Sequence, residues 1–251
     1  MHVVAIQHST LRANSYRHSH DIGGNHNGQG APGDEDPGNY TGSELLLRWV
    51  QHGAVSPILR THCGFCERRA WVFARHAEQL FDALRLRNAL VPYLYSEALR
   101  DYKSGVVPVR PLYHDWPHDT AAYSHNGTYL FGADIIVSPI TNVTIERSLN
   151  GTGAIMWQTY LPAGTWADWR GVSKNTSIVG PVVAEYAYGL ADIPIFTRSA
   201  VLPLGSLATQ SGNWADPLIW MVRCHAMYKY CHVQCDLVSA PYHLRFPAPA
   251  R

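Results

Sequence analysis

Two hydrophobic periodicities divide the chain near residue 105. Residues 42–53, Gly-Ser-Glu-Leu-Leu-Leu-Arg-Trp-Val-Gln-His-Gly, predict a helix. Leu45, Leu46, Trp49 and Val50 recur at helical spacing, Ser43 stands where a cap is wanted, and Gly53 can end the helix. Residues 74–103 predict helix again, with Leu80, Leu84, Leu90, Leu94 and Leu99 near helical period. Pro92 interrupts that run and starts a second helix or kinks the first. The short apolar run Pro57-Ile58-Leu59-Arg60 predicts a buried strand, and polar, turn-rich segments occupy 17–37 and 61–67. Residues 14–103 therefore alternate strand, turn and helix twice, the pattern of βα units.

Beyond Gly105 the period shortens. Apolar runs at 106–109, 129–131, 134–137, 156–161 and 193–196 are separated by Gly, Pro, Asn and Thr. That spacing predicts an antiparallel β domain, a sandwich. No internal repeat is visible, and the stretch from Cys224 to the closing Pro-Ala-Pro-Ala-Arg has no clear period.

Composition removes several function classes. Of 251 residues, 20 are basic and 19 acidic, a net charge of +1, which lacks the electrostatic footprint of a nucleic-acid binder. Apolar residues make up 46%, too many for wholesale disorder. No run reaches about 18 apolar residues, so no membrane span is expected. The first residues, Met-His-Val-Val-Ala-Ile-Gln-His, do not have the shape of a signal peptide.

The sequons point elsewhere. Five of the ten Asn begin Asn-x-Ser/Thr: Asn39, Asn126, Asn142, Asn150 and Asn175. Chance would give roughly one. The excess predicts a glycoprotein of the secretory route (ER, lysosome or vacuole, or secreted), whose original N-terminus is then not the one shown.

The five Cys leave three readings open: a metal site, a local Cys63–Cys66 disulfide, or uninvolved thiols. Cys63 and Cys66 form a Cys-x-x-Cys pair, and Cys224, Cys231 and Cys235 lie with His225 and His232. The second cluster is not a clean zinc pair, and the first lacks a thioredoxin-like helix start. No metal and no cofactor is expected.

Candidate chemistry gathers at the two strand ends of the first half. Asp21 follows the first, and Arg60 with His62 ends the second. In a (β/α) barrel the C-terminal strand ends face the active site. A carboxylate, a guanidinium and an imidazole there suit a polyhydroxylated ligand, since each can bond a hydroxyl.

An ordered series of motifs then becomes recognisable. It runs Ser19-His20-Asp21-Ile22-Gly23-Gly24, Glu44-Leu45-Leu46-Leu47-Arg48-Trp49-Val50-Gln51 and Gly53-Ala54-Val55-Ser56-Pro57-Ile58-Leu59-Arg60-Thr61-His62. It continues with Glu67-Arg68-Arg69-Ala70-Trp71, Leu90-Val91-Pro92-Tyr93-Leu94-Tyr95, Arg110-Pro111-Leu112-Tyr113 and Tyr129-Leu130-Phe131-Gly132-Ala133-Asp134. Tyr160-Leu161-Pro162-Ala163-Gly164-Thr165-Trp166, Ile193-Pro194-Ile195-Phe196 and Leu202-Pro203-Leu204-Gly205 close it. Over residues 14–222 this series resembles glycoside hydrolase family 31, which contains α-glucosidases and α-xylosidases.

The resemblance implies a fold of mixed class, α/β plus all-β. Residues 14–105 would be the closing part of a (β/α)8 TIM barrel, 106–204 a proximal β-sandwich, and 205–223 the start of a distal β domain. Residues 1–13 and 224–251 look atypical at either end. It also implies a substrate, an α-glucoside or related oligosaccharide, and a retaining mechanism with two carboxylates about 5–5.5 Å apart. In the family both are Asp, in a Trp-x-Asp-Met-Asn-Glu type motif and a Gly-Asp-Asn type motif. Neither motif occurs in this sequence.

Other carboxylates are poor substitutes. Asp34, Glu35 and Asp36 sit in a Gly/Pro-rich loop, and Glu44 opens a helix where it favours the dipole. No catalytic residue is therefore assigned. The resemblance makes Asp21 and His62 contacts of the sugar bound on the non-reducing side, and Arg60 a structural partner of carboxylates near the pocket. Two positions depart from the family: His18 replaces a Trp, and Asn25 replaces a His or Phe of the pocket wall. The expectation is a truncated α-glucosidase-like hydrolase, inactive alone. The alternatives are a non-catalytic carbohydrate-binding or inert fragment, or an interaction domain using the sandwich as a docking module.

Overall fold

A computed structural model describes residue 22 and residues 43–62, 69–72, 76–141, 153–169, 177–198, 201–205 and 219–222. Helix α1 spans Ser43–Ala54. Of the expected inner face, Leu46 and Val50 are buried and Trp49 is half-buried, but Leu45 is 59% exposed, and Leu47 is buried in its place. The helix is covered on a second side instead, where Arg48, Gln51 and His52 are buried. Arg48 Nη1 donates to the Asp192 carbonyl and its Nη2 to the Gly189 carbonyl, both at 3.0 Å; Gln51 Nε2 donates to the Leu190 carbonyl at 2.7 Å. Polar side chains can be buried here because backbone acceptors meet them.

The long helical run resolves into α2, Ala77–Ala89, and α3, Val91–Ser104, with Leu90 between them. Pro92 falls in the first turn of α3, where a missing N–H leaves no intrahelical bond unmade. Gly105 closes α3 at φ +70°, and its N–H returns to the Asp101 carbonyl at 2.7 Å. Ile22, Leu46, Leu47, Val50, Ala54, Leu80 and Ala83 form the core of this helical layer.

The expected strand at 57–60 is not a regular strand. Thr61 makes a single parallel bridge to Ile22. Ile22 N–H donates to the Arg60 carbonyl at 3.1 Å, and His62 N–H donates to the Ile22 carbonyl at 3.3 Å. Upstream of the bridge, Pro57 has no N–H to give, and the carbonyls of Ser56 and Pro57 accept from Arg87. Two of the carbonyls that enter the segment are thus committed to a side chain.

Among the described residues, six strands form one antiparallel sheet: β1 Val109–Pro111, β2 Tyr129–Phe131, β3 Ile135–Val137, β4 Ile155–Asp168, β5 Ile178–Tyr188 and β6 Ile195–Arg198. Their spatial order is β1-β2-β3-β6-β4-β5. A second ladder pairs β7, Val201–Leu204, with β8, Ile219–Val222. Side chains alternate across the large sheet. Tyr129, Phe131, Ile135, Val137 and Ile195 pack with Leu86, Leu90 and Tyr93 of the helical layer. Leu130, Ile136 and Phe196 pack on the other face with Tyr160, Leu161, Trp166, Leu112 and Ala122. Leu112 and Ala122 come from short helices α4, Leu112–Asp115, and α5, Thr120–Ser124.

The fold is thus an α/β layer bearing a parallel bridge, joined through a continuous core to an antiparallel β domain. No described helix is long and apolar enough to cross a membrane.

Candidate functional site

The site region begins where α1 ends. Gly53 lies against Ile22: a Cβ built there would come 2.7 Å from Ile22 Cδ1 and 3.2 Å from Leu59 Cγ. A larger residue here would have to displace the tip of the Ile22 side chain and press on Leu59. The chain then turns, with Val55 N–H donating to the His52 carbonyl and Ser56 N–H to the Gly53 carbonyl, both at 3.2 Å.

Three carbonyls leave this turn, and two side chains from different parts of the fold meet them. Val55 O accepts from the Tyr129 hydroxyl on β2 at 3.0 Å. Ser56 O and Pro57 O accept from the two terminal nitrogens of Arg87 on α2, the latter at 2.6 Å. The segment so held runs to the Ile22 bridge and carries Arg60 and His62, both exposed. Arg60 and His62 thus lie on one segment that bridges to Ile22, at the end of a run that is not the regular strand expected. Asp21 lies outside the described residues.

The electrostatics of the support are set by burial. Burial lowers the Arg87 guanidinium to about 10, and among the described residues no carboxylate is set against it. Burial raises the Tyr129 phenol, so it stays a neutral donor. Arg48 is lowered by burial too, with the charges of Glu44 and Asp192 acting the other way.

Sequence reasoning passed over Arg48, Arg87 and Tyr129. A signal existed for the arginines. Arg87 stands at i+7 from Leu80 and i+4 from Ala83, on the buried stripe of α2, and Arg48 stands on the buried second face of α1. A cation on an apolar stripe needs acceptors from elsewhere in the fold.

Among the sequons, Asn126 is exposed in the turn between α5 and β2. Asn39, Asn142, Asn150 and Asn175 lie outside the described residues, as do all five Cys. Among the described residues no group of His, Cys, Asp and Glu could hold a metal ion.

Two domain profiles of one family match the chain in order. The glycosyl hydrolases family 31 TIM-barrel domain matches residues 10–97, and the glycosyl hydrolase family 31 C-terminal domain matches residues 105–201. The chain belongs to glycoside hydrolase family 31. An α-xylosidase of Saccharolobus solfataricus is 34% identical over 164 residues, 64% of this chain and 21% of that protein. α-Glucosidase 2 of Bacillus thermoamyloliquefaciens is 33% identical over 172 residues, 66% of this chain and 20% of that protein. Among solved structures, a family 31 dextranase of Flavobacterium johnsoniae, determined with isomaltotriose and with glucose, superposes with a TM-score of 0.58 at 26% identity. The match covers 67% of this family 31 chain and 20% of the dextranase. The chain thus spans about a fifth of the length of the relatives it matches.

Proposed function

We propose that this chain supplies the sugar-facing closing part of a family 31 barrel, and its adjoining β domain, for a retaining hydrolase of α-linked glucosides. The observation that carries this reading is the ordered match to both family domains, with positions 21 and 62 flanking the two partners of the Ile22–Thr61 bridge. Asp21 and His62 contact hydroxyls of the bound sugar, and Arg60 is a structural partner of carboxylates beside it. Binding energy from such remote hydroxyls orients the reacting centre.

Neither catalytic Asp motif occurs in this sequence, and that favours a second reading for the chain taken alone: a non-catalytic sugar binder. Assays of an aryl α-glucoside with the purified chain should show no hydrolysis, because members of a cooperating catalytic pair act as a unit. In a longer protein that carries both motifs, Asp21→Asn should keep the fold and lower kcat/KM at least roughly tenfold. Robust turnover by the 251-residue chain refutes the non-catalytic reading. Unchanged kinetics in the longer Asp21→Asn protein refute the sugar-contact role of Asp21. The excess of sequons supports passage through the secretory route.

A further inference from the structure

We propose that Arg87 is a positioning residue of the sugar site, acting through the backbone that carries His62; this rests on the reading of His62 as a sugar contact. Arg87 projects from α2 and spends both terminal nitrogens on consecutive carbonyls, Ser56 O and Pro57 O. A planar fork can hold two successive carbonyls in one orientation, which a single ammonium cannot.

The cost of this arrangement is visible. The guanidinium is largely withdrawn from water, and no described carboxylate compensates its charge. A half-buried cation facing neutral acceptors gains little stability, since desolvation offsets much of what two such bonds return. What the arrangement does supply is geometry. Among the described residues the 57–62 segment has no ladder of its own, only the Ile22 bridge at its far end. Arg87 fixes the near end. Two anchors, one on each side of Ile58 and Leu59, define where Arg60 and His62 emerge, and the Pro57 ring narrows the backbone between them.

The test compares Arg87→Lys, Arg87→Met and His62→Ala with the unaltered chain. Amide hydrogen exchange reads the anchors, and NMR titration with isomaltotriose and with glucose reads the site. Expected results are a loss of about tenfold or more in protection of the Ile22 and His62 amides in both Arg87 variants, with protection of the β4–β5 ladder retained. Isomaltotriose affinity should fall about tenfold in both, and also in His62→Ala, where the two anchor amides keep their protection. Unchanged anchor protection and affinity in Arg87→Lys and Arg87→Met, alongside loss in His62→Ala, overturns the positioning role. Unchanged affinity in His62→Ala overturns the sugar-contact reading and the proposal with it. Loss of ladder protection in both Arg87 variants assigns Arg87 to folding and also overturns the proposal.

Discussion

The Tyr129 hydroxyl lies 3.0 Å from the Val55 carbonyl and 3.2 Å from His52 Nδ1. A hydroxyl has one proton, and only one of these partners can supply another. Tyr129 therefore donates to Val55 O and accepts from His52 Nδ1–H, which fixes the tautomer of a buried imidazole. The two rings meet edge to face, with centroids 5.8 Å apart. One strand residue of the β domain thus holds both the last turn of α1 and the backbone leading to the candidate site.

Tyr129→Phe leaves a buried carbonyl and a ring N–H without this partner. Such a loss costs about 1–3 kcal/mol. Urea unfolding should show that loss as a lowered midpoint with an unchanged slope. A midpoint equal to that of the unaltered chain would refute the assignment of the donor.

Stability should pass through a maximum as pH changes. Burial alone would raise the Asp115 carboxyl, but hydrogen bonds from Arg110 and His114 and their charges bring it down to about 2. A carboxyl lowered on folding contributes stability above its unfolded value and loses it as pH falls through the folded one. Glu97 and Asp134 behave oppositely. Burial raises both, against the charges of Arg100 and Arg110, joined by Arg198 at Asp134. Their contribution is complete below the unfolded carboxyl value and is lost as pH rises through the raised one.

Asp115→Asn should remove the acid limb below pH about 4 and lower neutral stability by roughly 1–2 kcal/mol, discounted for its partly exposed edge. Glu97→Gln should flatten the limb above the ordinary carboxyl range. Unfolding midpoints from pH 3 to 8 check both, and parallel curves for all three proteins would contradict the assignments.

Gly132 sits at φ +70°, and a Cβ there would lie 2.1 Å from the Tyr93 hydroxyl and 2.6 Å from its ring carbon Cζ. That hydroxyl donates to the Phe131 carbonyl and accepts from Asp134 N–H, at 3.0 and 3.2 Å. Gly132→Ala combines backbone strain with displacement of a buried ring, for a cost of about 2–4 kcal/mol. A Tyr93→Leu change should recover part of it. The double-mutant cycle measures the coupling, and strict additivity would speak against the clash.

Asn126 is exposed, but Thr128 of the same sequon is buried, its hydroxyl donating to Ser138 Oγ at 3.3 Å. Glycan addition should therefore precede folding of β2. Expression through a secretory pathway should give a species whose mass falls on N-glycanase treatment and which is absent in Asn126→Gln. The folded, unglycosylated chain should be a poor acceptor in vitro. Equal modification of folded and denatured chains would contradict this order of events.

Legibility in the sequence followed the locality of the cause. The α2–α3 break at Pro92 and strands β2, β3 and β6 rest on periodicity and turn residues, and each was readable. Strand β5 was not, because Gly180-Pro181 reads as a turn; its partner β4 and its place at the sheet edge, where proline is tolerated, decide the matter. Strand β4 extends to Asp168 through a register shift between Leu161 and Gly164 that no alternation reveals. At the candidate site, the sequence marked Arg60 and His62 as candidates at the end of a strand, where the fold has only the Ile22–Thr61 bridge. Arg87 could be noticed on its apolar stripe, but what it and Tyr129 hold could not, because that depends on which carbonyls tertiary folding leaves open.

The Arg48 contacts with Gly189 and Asp192 join residues 141 and 144 positions apart. A ribosome adds about 5–20 residues per second. For something on the order of ten seconds after α1 emerges, its guanidinium has the local Gln51 Oε1 but neither of the two distant carbonyls that later bury it. The helix that orders the site can be made early but cannot be seated until the turn after β5 has left the ribosome. Seating of the segment that follows α1 is thus timed by the far end of the β domain.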